Sequence, residues 1–269
     1  MDNPWIKYDW QAENSVHKAD LATVTNFNKR TLGKKRDGEY ALSTSNVALP
    51  YFGNPGANVV LLYLNPGLDP SQTSSEESED CRFLFDKARK HELVDPHPFV
   101  FLHPAFEGTP GYRWWQRTLG PLLTRFSGFP ERVLNNLFSV ELHPYKSVKY
   151  SPILERDGTL ESTEYTYQLV REAIKRGVLV LLARGARDWI KAVPELEDYP
   201  YVMGLSSAQN SVISPNNVIF RNNPNATTPE DQKNLAWQML TKVALAKSPG
   251  DTSLKEELAW YAQEWKLGA

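Results

Sequence analysis

Cysteine is nearly absent: Cys81 alone stands in 269 residues. That excludes an internal disulfide framework and any cysteine-held iron–sulfur cluster built from this chain by itself. Histidine is scarce too, at five residues: His17, His91, His97, His103 and His143. None forms a helix-spaced zinc pair, although His97 and His103 bracket a strand-like apolar segment, so neither a metal nor a cofactor is expected. No apolar run approaches the ~18 residues that span a bilayer. The opening MDNPWIKYDW lacks the basic-then-apolar order of a signal peptide, so a soluble, cytoplasmic protein with no membrane partner is expected. Positive charge is not in excess either, with a formal net charge of −2. Indiscriminate coating of nucleic acid, which needs many neutralised phosphates, is thereby excluded, but a local basic face is not. Lys29, Arg30, Lys34, Lys35 and Arg36 are either such a face or a solvated helix end.

What is present is enough apolar residue, 41%, to bury one sizeable core. Residues 1–50, with Trp5 and Trp10, read as an N-terminal extension packed onto a domain spanning 51–269. From Phe52 a turn leads into a continuous apolar strand, Val59 to Leu64, of the buried parallel type. Further strands are expected in LFSVELHPYKS, GVLVLLARG and SVISPNNVIFRNNP, and a short one in PFVFLHP. Helices are expected in GYRWWQRTLGPLLTRF, whose Trp114 and Trp115 suit a core or interface, and around Tyr165 to Lys175, Ala186 to Ala192 and Glu230 to Ala246. A last helix, Ser253 to Lys266, would turn Trp260 and Trp265 inward. The alternation implies an α/β fold: a three-layer sandwich around a mostly parallel, roughly four-stranded sheet. Ligands bind such sheets beyond the carboxyl ends of the strands, so the loops after Leu64, Leu142, Leu182 and Phe220 should converge.

Two of those loops carry a resemblance. Leu64-Asn65-Pro66-Gly67 resembles the first motif of the uracil-DNA glycosylase superfamily in its mismatch-specific branch, and Asn223-Pro224-Asn225-Ala226-Thr227-Thr228 stands where that branch has Asn-Pro-Ser-Gly-Leu-Ser. The resemblance covers about residues 52–246 and, between the motifs, holds in pattern only. It implies a glycosylase-like fold and a monofunctional enzyme that hydrolyses the bond between a flipped base and its sugar, leaving an abasic site in DNA. Asn65 and Asn223 would be catalytic, Asn65 orienting the attacking water. Leu64, Pro66 and Gly67 would shape the pocket, and Asn222, Pro224, Asn225, Ala226 and Thr227 would enter the minor groove. The bulky wedge of the branch is replaced by Thr227 and its preceding glycine by Ala226, so the tip wedges poorly.

At the end of the second strand, Glu141 and His143 are the candidates for reading the base edge, and strand alternation puts both on one face. Glu141 would accept from an exocyclic amine, favouring a cytosine-like edge; alternatively it pairs with Arg184 or Arg187, and His143 caps its own turn. The aromatic stacker expected shortly after the first motif is replaced by Ser75, Glu76, Glu77 and Ser78, which leaves Phe83, Phe52 or Tyr145 to stack. Arg184 and Arg187, and less strongly Lys146 and Lys149, are candidates to meet phosphate, or else to form salt bridges such as Arg187 with Asp188. The recut pocket and the acidic insertion shift the expected substrate from uracil toward a modified pyrimidine, with defence against phage carrying modified cytosine as the setting. The partner is DNA, and no obligate protein partner is implied. Three alternatives stand beside this: repair of uracil or mismatched thymine, a non-catalytic module for modified or single-stranded nucleic acid, and an unrelated nucleotide- or sugar-phosphate-binding α/β enzyme. The last lacks the repeated glycines of a dinucleotide or P-loop turn.

Overall fold

The computed structural model describes residues 1–12, 14–32, 38–69, 78–207, 209–221, 228–246, 256, 258–260 and 263. The sheet is built around β2 (Val59–Tyr63), five residues without a polar side chain apart from the Tyr63 hydroxyl, all of them buried. A strand covered on both faces has no reason to alternate, and this one does not. It pairs in parallel with β3 (Leu137–Glu141) on one side and β4 (Leu179–Leu182) on the other; β4 in turn pairs in parallel with β5 (Val202–Leu205). Two three-residue strands, β1 (Tyr51–Gly53) and β6 (Val218–Phe220), run antiparallel along the outer edges, giving the order β1-β3-β2-β4-β5-β6. The expectation of roughly four strands is thus corrected to a mixed sheet of six.

Between β2 and β3 the chain forms α2 (Glu79–Arg89), α3 (Pro110–Arg125) and α4 (Pro130–Asn135); α5 (Thr163–Arg176) joins β3 to β4, and α6 (Ala186–Ala192) joins β4 to β5. The chain leaves β2 in one direction across the sheet and returns past it to β4, so the connecting helices fall on opposite faces. Trp115 of α3 packs edge-on against Phe52 and Tyr63, whereas Tyr165 of α5 meets Tyr51, whose side chain points to the other face. Helix α7 (Pro229–Ala244), capped by the Thr228 hydroxyl, buries Leu235, Met239, Leu240 and Val243.

The first fifty residues add to the same core. Trp5, Tyr8, Val24 and Phe27, the last two on α1 (Leu21–Leu32), are buried in one cluster with the sheet residues. The buried Asp20 ties this segment down, accepting from the Tyr145 hydroxyl at 2.6 Å and the Ser162 amide at 3.0 Å. Of the basic cluster, Arg30 is spent on Asp157 at 2.7 Å, and Lys34, Lys35 and Arg36 lie outside the described residues. PFVFLHP is not a strand: residues 100–102 and 104–106 form 3-10 turns, because Phe99, Phe101 and Phe106 gather with Phe52, Phe85 and Trp115. Trp260 is 55% exposed rather than turned inward, and Trp265 lies outside the described residues. Among the described residues no helix is long and apolar enough to cross a membrane.

Candidate functional site

Three parallel strands end at one hollow of about 470 Å³. Tyr63 and Glu141, the last residues of β2 and β3, are register partners, so their side chains leave the same face of the sheet and lie side by side on its floor. Arg184, two residues beyond β4, closes a third side. The floor is braced from behind: the Trp189 indole donates to the Tyr63 carbonyl at 2.7 Å, and the Arg184 amide donates to the Leu62 carbonyl at 3.1 Å.

Asn65, Pro66 and Gly67 form the lip. The Asn65 side-chain amide donates to the Ser147 hydroxyl at 2.9 Å and to the Pro66 carbonyl at 3.0 Å, while the Leu68 amide donates to the Ser147 carbonyl at 3.0 Å. Both Nδ2 protons of Asn65 are therefore occupied, and its Oδ1 remains as an acceptor. Leu64 is set in place by Gly185, which adopts φ +65° and whose absent Cβ would lie 2.0 Å from a Leu64 methyl carbon. Only glycine meets both conditions.

The walls are aromatic. Trp114 and Trp115 of α3 stand nearly perpendicular, 4.6 Å apart between ring centroids, and both contact Tyr63; Phe85, Phe101, Phe106 and Tyr150 complete the lining. Such a box fits a flat heteroaromatic ring, since apolar walls with a few directed polar groups are the usual form of a small-ligand site.

Its floor is electrically unusual. Glu141 is 5% exposed, and its Oε2 is buried without a hydrogen-bond partner, as is the Tyr63 hydroxyl. Burial alone pushes the Glu141 carboxyl up to about 8 and also raises the Tyr63 phenol, with the Glu141 charge adding to the latter. Lys146, also lining the hollow and 5.6 Å from the Phe85 ring centre, is pushed down to about 8 by burial. At neutral pH the floor therefore presents an uncharged carboxylic acid and a phenol, both with unused hydrogen-bonding capacity.

Of the residues expected from the sequence, Leu64, Asn65, Pro66, Gly67, Glu141, Lys146 and Arg184 come together here. Others do not. His143 was expected on the same strand face as Glu141, but β3 ends at Glu141, and His143 lines a separate, more open cleft of about 860 Å³. Tyr145 is a buried anchor for Asp20, remote from any stacking role. Phe83 is 49% exposed with the Lys87 ammonium 5.2 Å from its ring centre; Phe85, two residues on and so on the opposite side of α2, takes the wall. Arg187 is exposed and lines neither hollow, and among the described residues Asp188 forms no ion pair with an arginine. Among the described residues Glu141 pairs with neither Arg184 nor Arg187.

Asn222, Asn223, Pro224, Asn225, Ala226 and Thr227 lie outside the described residues. The strand that leads to them is antiparallel, with Phe220 beside Met203 and the Arg221 amide donating to the Val202 carbonyl at 3.3 Å. Phe220, the last residue of β6, thus lies at the end of the sheet opposite Asn65, and not with Leu64, Leu142 and Leu182 as expected. The loop that does leave beside them follows β5: Ser206, Ser207, Gln209 and Asn210 are exposed, and Ile213 and Ser211 fasten it to Thr118 of α3. Sequence reasoning passed over Tyr63, Trp114, Phe85 and Ser147 as site residues. Tyr63, the only polar-tipped residue of its strand and adjacent to LNPG, was the available signal.

Comparison of this chain with family models, with curated proteins and with solved structures finds no match.

Proposed function

We propose that this protein is a monofunctional DNA glycosylase that takes a flipped, modified pyrimidine into the aromatic hollow and hydrolyses its bond to the sugar. The observation that carries the reading is the coincidence of two buried, partnerless polar atoms, Glu141 Oε2 and Tyr63 Oη, on the floor of an aromatic box whose lip holds Asn65. Orphaned polar groups in a folded interior are costly unless a ligand satisfies them. A base edge does so while its faces lie against Trp114 and Phe85. At the lip, Asn65 Oδ1 accepts a hydrogen bond from water and turns its lone pair toward the sugar carbon, where an oxocarbenium-like transition state asks for little more than a positioned nucleophile and stabilised charge. Arg184 supplies positive charge for phosphate or the departing base. The loop after β5 shares the lip's edge of the sheet and would also face the groove. The volume exceeds what an unsubstituted pyrimidine fills, in keeping with modified cytosine and a role against phage.

The test is base release from DNAs containing uracil, mismatched thymine, hydroxymethylcytosine and glucosylated hydroxymethylcytosine, with alkali revealing abasic sites. Release from one substrate, reduced about 10²-fold or more in Asn65→Ala, is expected; full activity in that variant removes Asn65 from the mechanism. A second reading, a module that binds such DNA without cutting, is favoured by the tethering of Asn65 through both Nδ2 protons, and tight binding without release would establish it.

A further inference from the structure

Glu141 differs from an ordinary hydrogen-bonding reader because nothing in the protein completes it. It stands at the closed end of the hollow, beside Tyr63 across the β2–β3 ladder, with Oε2 buried and unpartnered. We infer that Glu141 is the proton donor to the departing base, and that this base carries an amidine edge: a ring nitrogen with a free lone pair next to an exocyclic amine, as in cytosine and its 5-substituted forms. The inference rests on the glycosylase reading.

The donor and acceptor patterns match. A neutral carboxyl presents one O–H and one carbonyl oxygen side by side, and an amidine edge presents one acceptor and one N–H donor at the same spacing. Tyr63 Oη is placed to accept the second amine proton. Uracil and thymine carry N3–H at this position and have no lone pair there to take a proton. In the reaction the Glu141 O–H bond breaks as the N3–H bond forms. The C1′–N1 bond then breaks with its electron pair passing into the ring, which departs as a neutral tautomer. Water adds to C1′ and gives up a proton to solvent, and solvent returns one to Glu141. The sum is hydrolysis alone.

The titratable groups that line the hollow with Glu141 are Tyr63 from β2, Asp69 beyond it, Cys81 from α2, Arg184 from beyond β4, and Lys146 and Tyr150 from the segment after β3. None offsets its burial, which holds the carboxyl protonated up to about pH 8. An acid that is neutral at working pH and released from that state only by a bound base is suited to general acid catalysis.

The decisive variant is Glu141→Gln, which keeps a donor and an acceptor but has no proton to transfer. Two readouts are needed. Free cytosine, adenine and uracil are titrated into the full chain and followed by ultraviolet difference spectra; wild type is expected to give the difference spectrum of a ring nitrogen accepting a strong O–H hydrogen bond with cytosine or adenine and none with uracil. The variant binds the same base without that spectrum. Single-turnover release from DNA is expected to fall about 10²–10⁴-fold in the variant, and the wild-type rate to decline above about pH 8 while the residual rate of the variant stays level. A folded variant that keeps both rate and alkaline decline overturns the donor role and leaves the glycosylase standing. That spectrum without release from any DNA overturns hydrolysis and keeps the hydrogen-bond donor. Faster release of uracil than of cytosine overturns the amidine edge, and neither spectrum nor release overturns both readings.

Discussion

Glu141 and His143 are two residues apart, both at least nine-tenths buried, and each has an atom without a partner, yet they face different hollows and titrate in opposite directions. Burial pushes the carboxyl up to about 8 and the imidazole down to about 4. The cause is the same; the sign differs because burial penalises charge, and the charged form is the deprotonated one for Glu141 and the protonated one for His143. Their surroundings differ as well. The Glu141 hollow has core aromatics for walls, whereas the His143 cleft is bounded largely by exposed residues such as Leu154, Glu155 and Arg156. Tyr150 is the partition, lining both. Deep burial of a polar group is thus not enough to mark a site; a shaped, enclosed space in front of it is also required.

The contrast breaks most readily in stability measurements. Trp115→Ala removes a wall of the hollow that is also core, and a loss of about 3–5 kcal/mol is expected in urea unfolding, against less than about 1 kcal/mol for Ile153→Ala at the half-buried edge of the cleft. Equal losses would erase the distinction. Next in size are two opposite pH slopes. Glu141 holds its proton more tightly folded than unfolded, so its contribution is complete below the ordinary carboxyl value of 4.5 and is lost as pH rises through about 8. His143 contributes fully above 6.5 and loses its contribution as pH falls through about 4, with His91 doing the same. The change is on the order of 5 kcal/mol for Glu141 and 3 kcal/mol for His143. Glu141→Gln should flatten the alkaline side of a melting-temperature profile alone, and His143→Leu should soften the acid side alone. Gly185→Ala, which drives a Cβ into Leu64, should cost about 2 kcal/mol and displace the lip, and an added Leu64→Ala should restore much of the stability. Smallest is Tyr150→Phe, expected to cost less than about 1 kcal/mol; if the partition is the ring rather than its hydroxyl, ligand binding in the hollow stays within about twofold.

How much of this could be read beforehand follows from what local pattern encodes. Helix α6 was placed residue for residue and β2 nearly so, because an apolar run or a helical period is a local property. β1 and β5, at three and four residues, are too short to show a period, and β5 carries Gly204 as well. The direction of β6 has no local signature at all, since a three-residue strand reads the same whichever way its partner runs. That one missing fact displaced the expected position of Phe220 at the end of β6. In the site, strand-end residues such as Asn65, Glu141 and Arg184 were legible from topology. Phe85 was not, because choosing it over Phe83 needs the rotation of α2, and Tyr63 was not, because a tyrosine ending an apolar strand reads as core.

The perpendicular pair Trp114 and Trp115 has an optical consequence. Two indoles held 4.6 Å apart at 85° in a rigid wall form a chiral chromophore, whose near-ultraviolet circular dichroism is sensitive to small rotations of either ring. A flat ligand sliding against Trp114 would disturb that coupling directly. The hollow therefore carries its own spectroscopic gauge, able to report occupancy in the unlabelled protein whether or not any bond is cut.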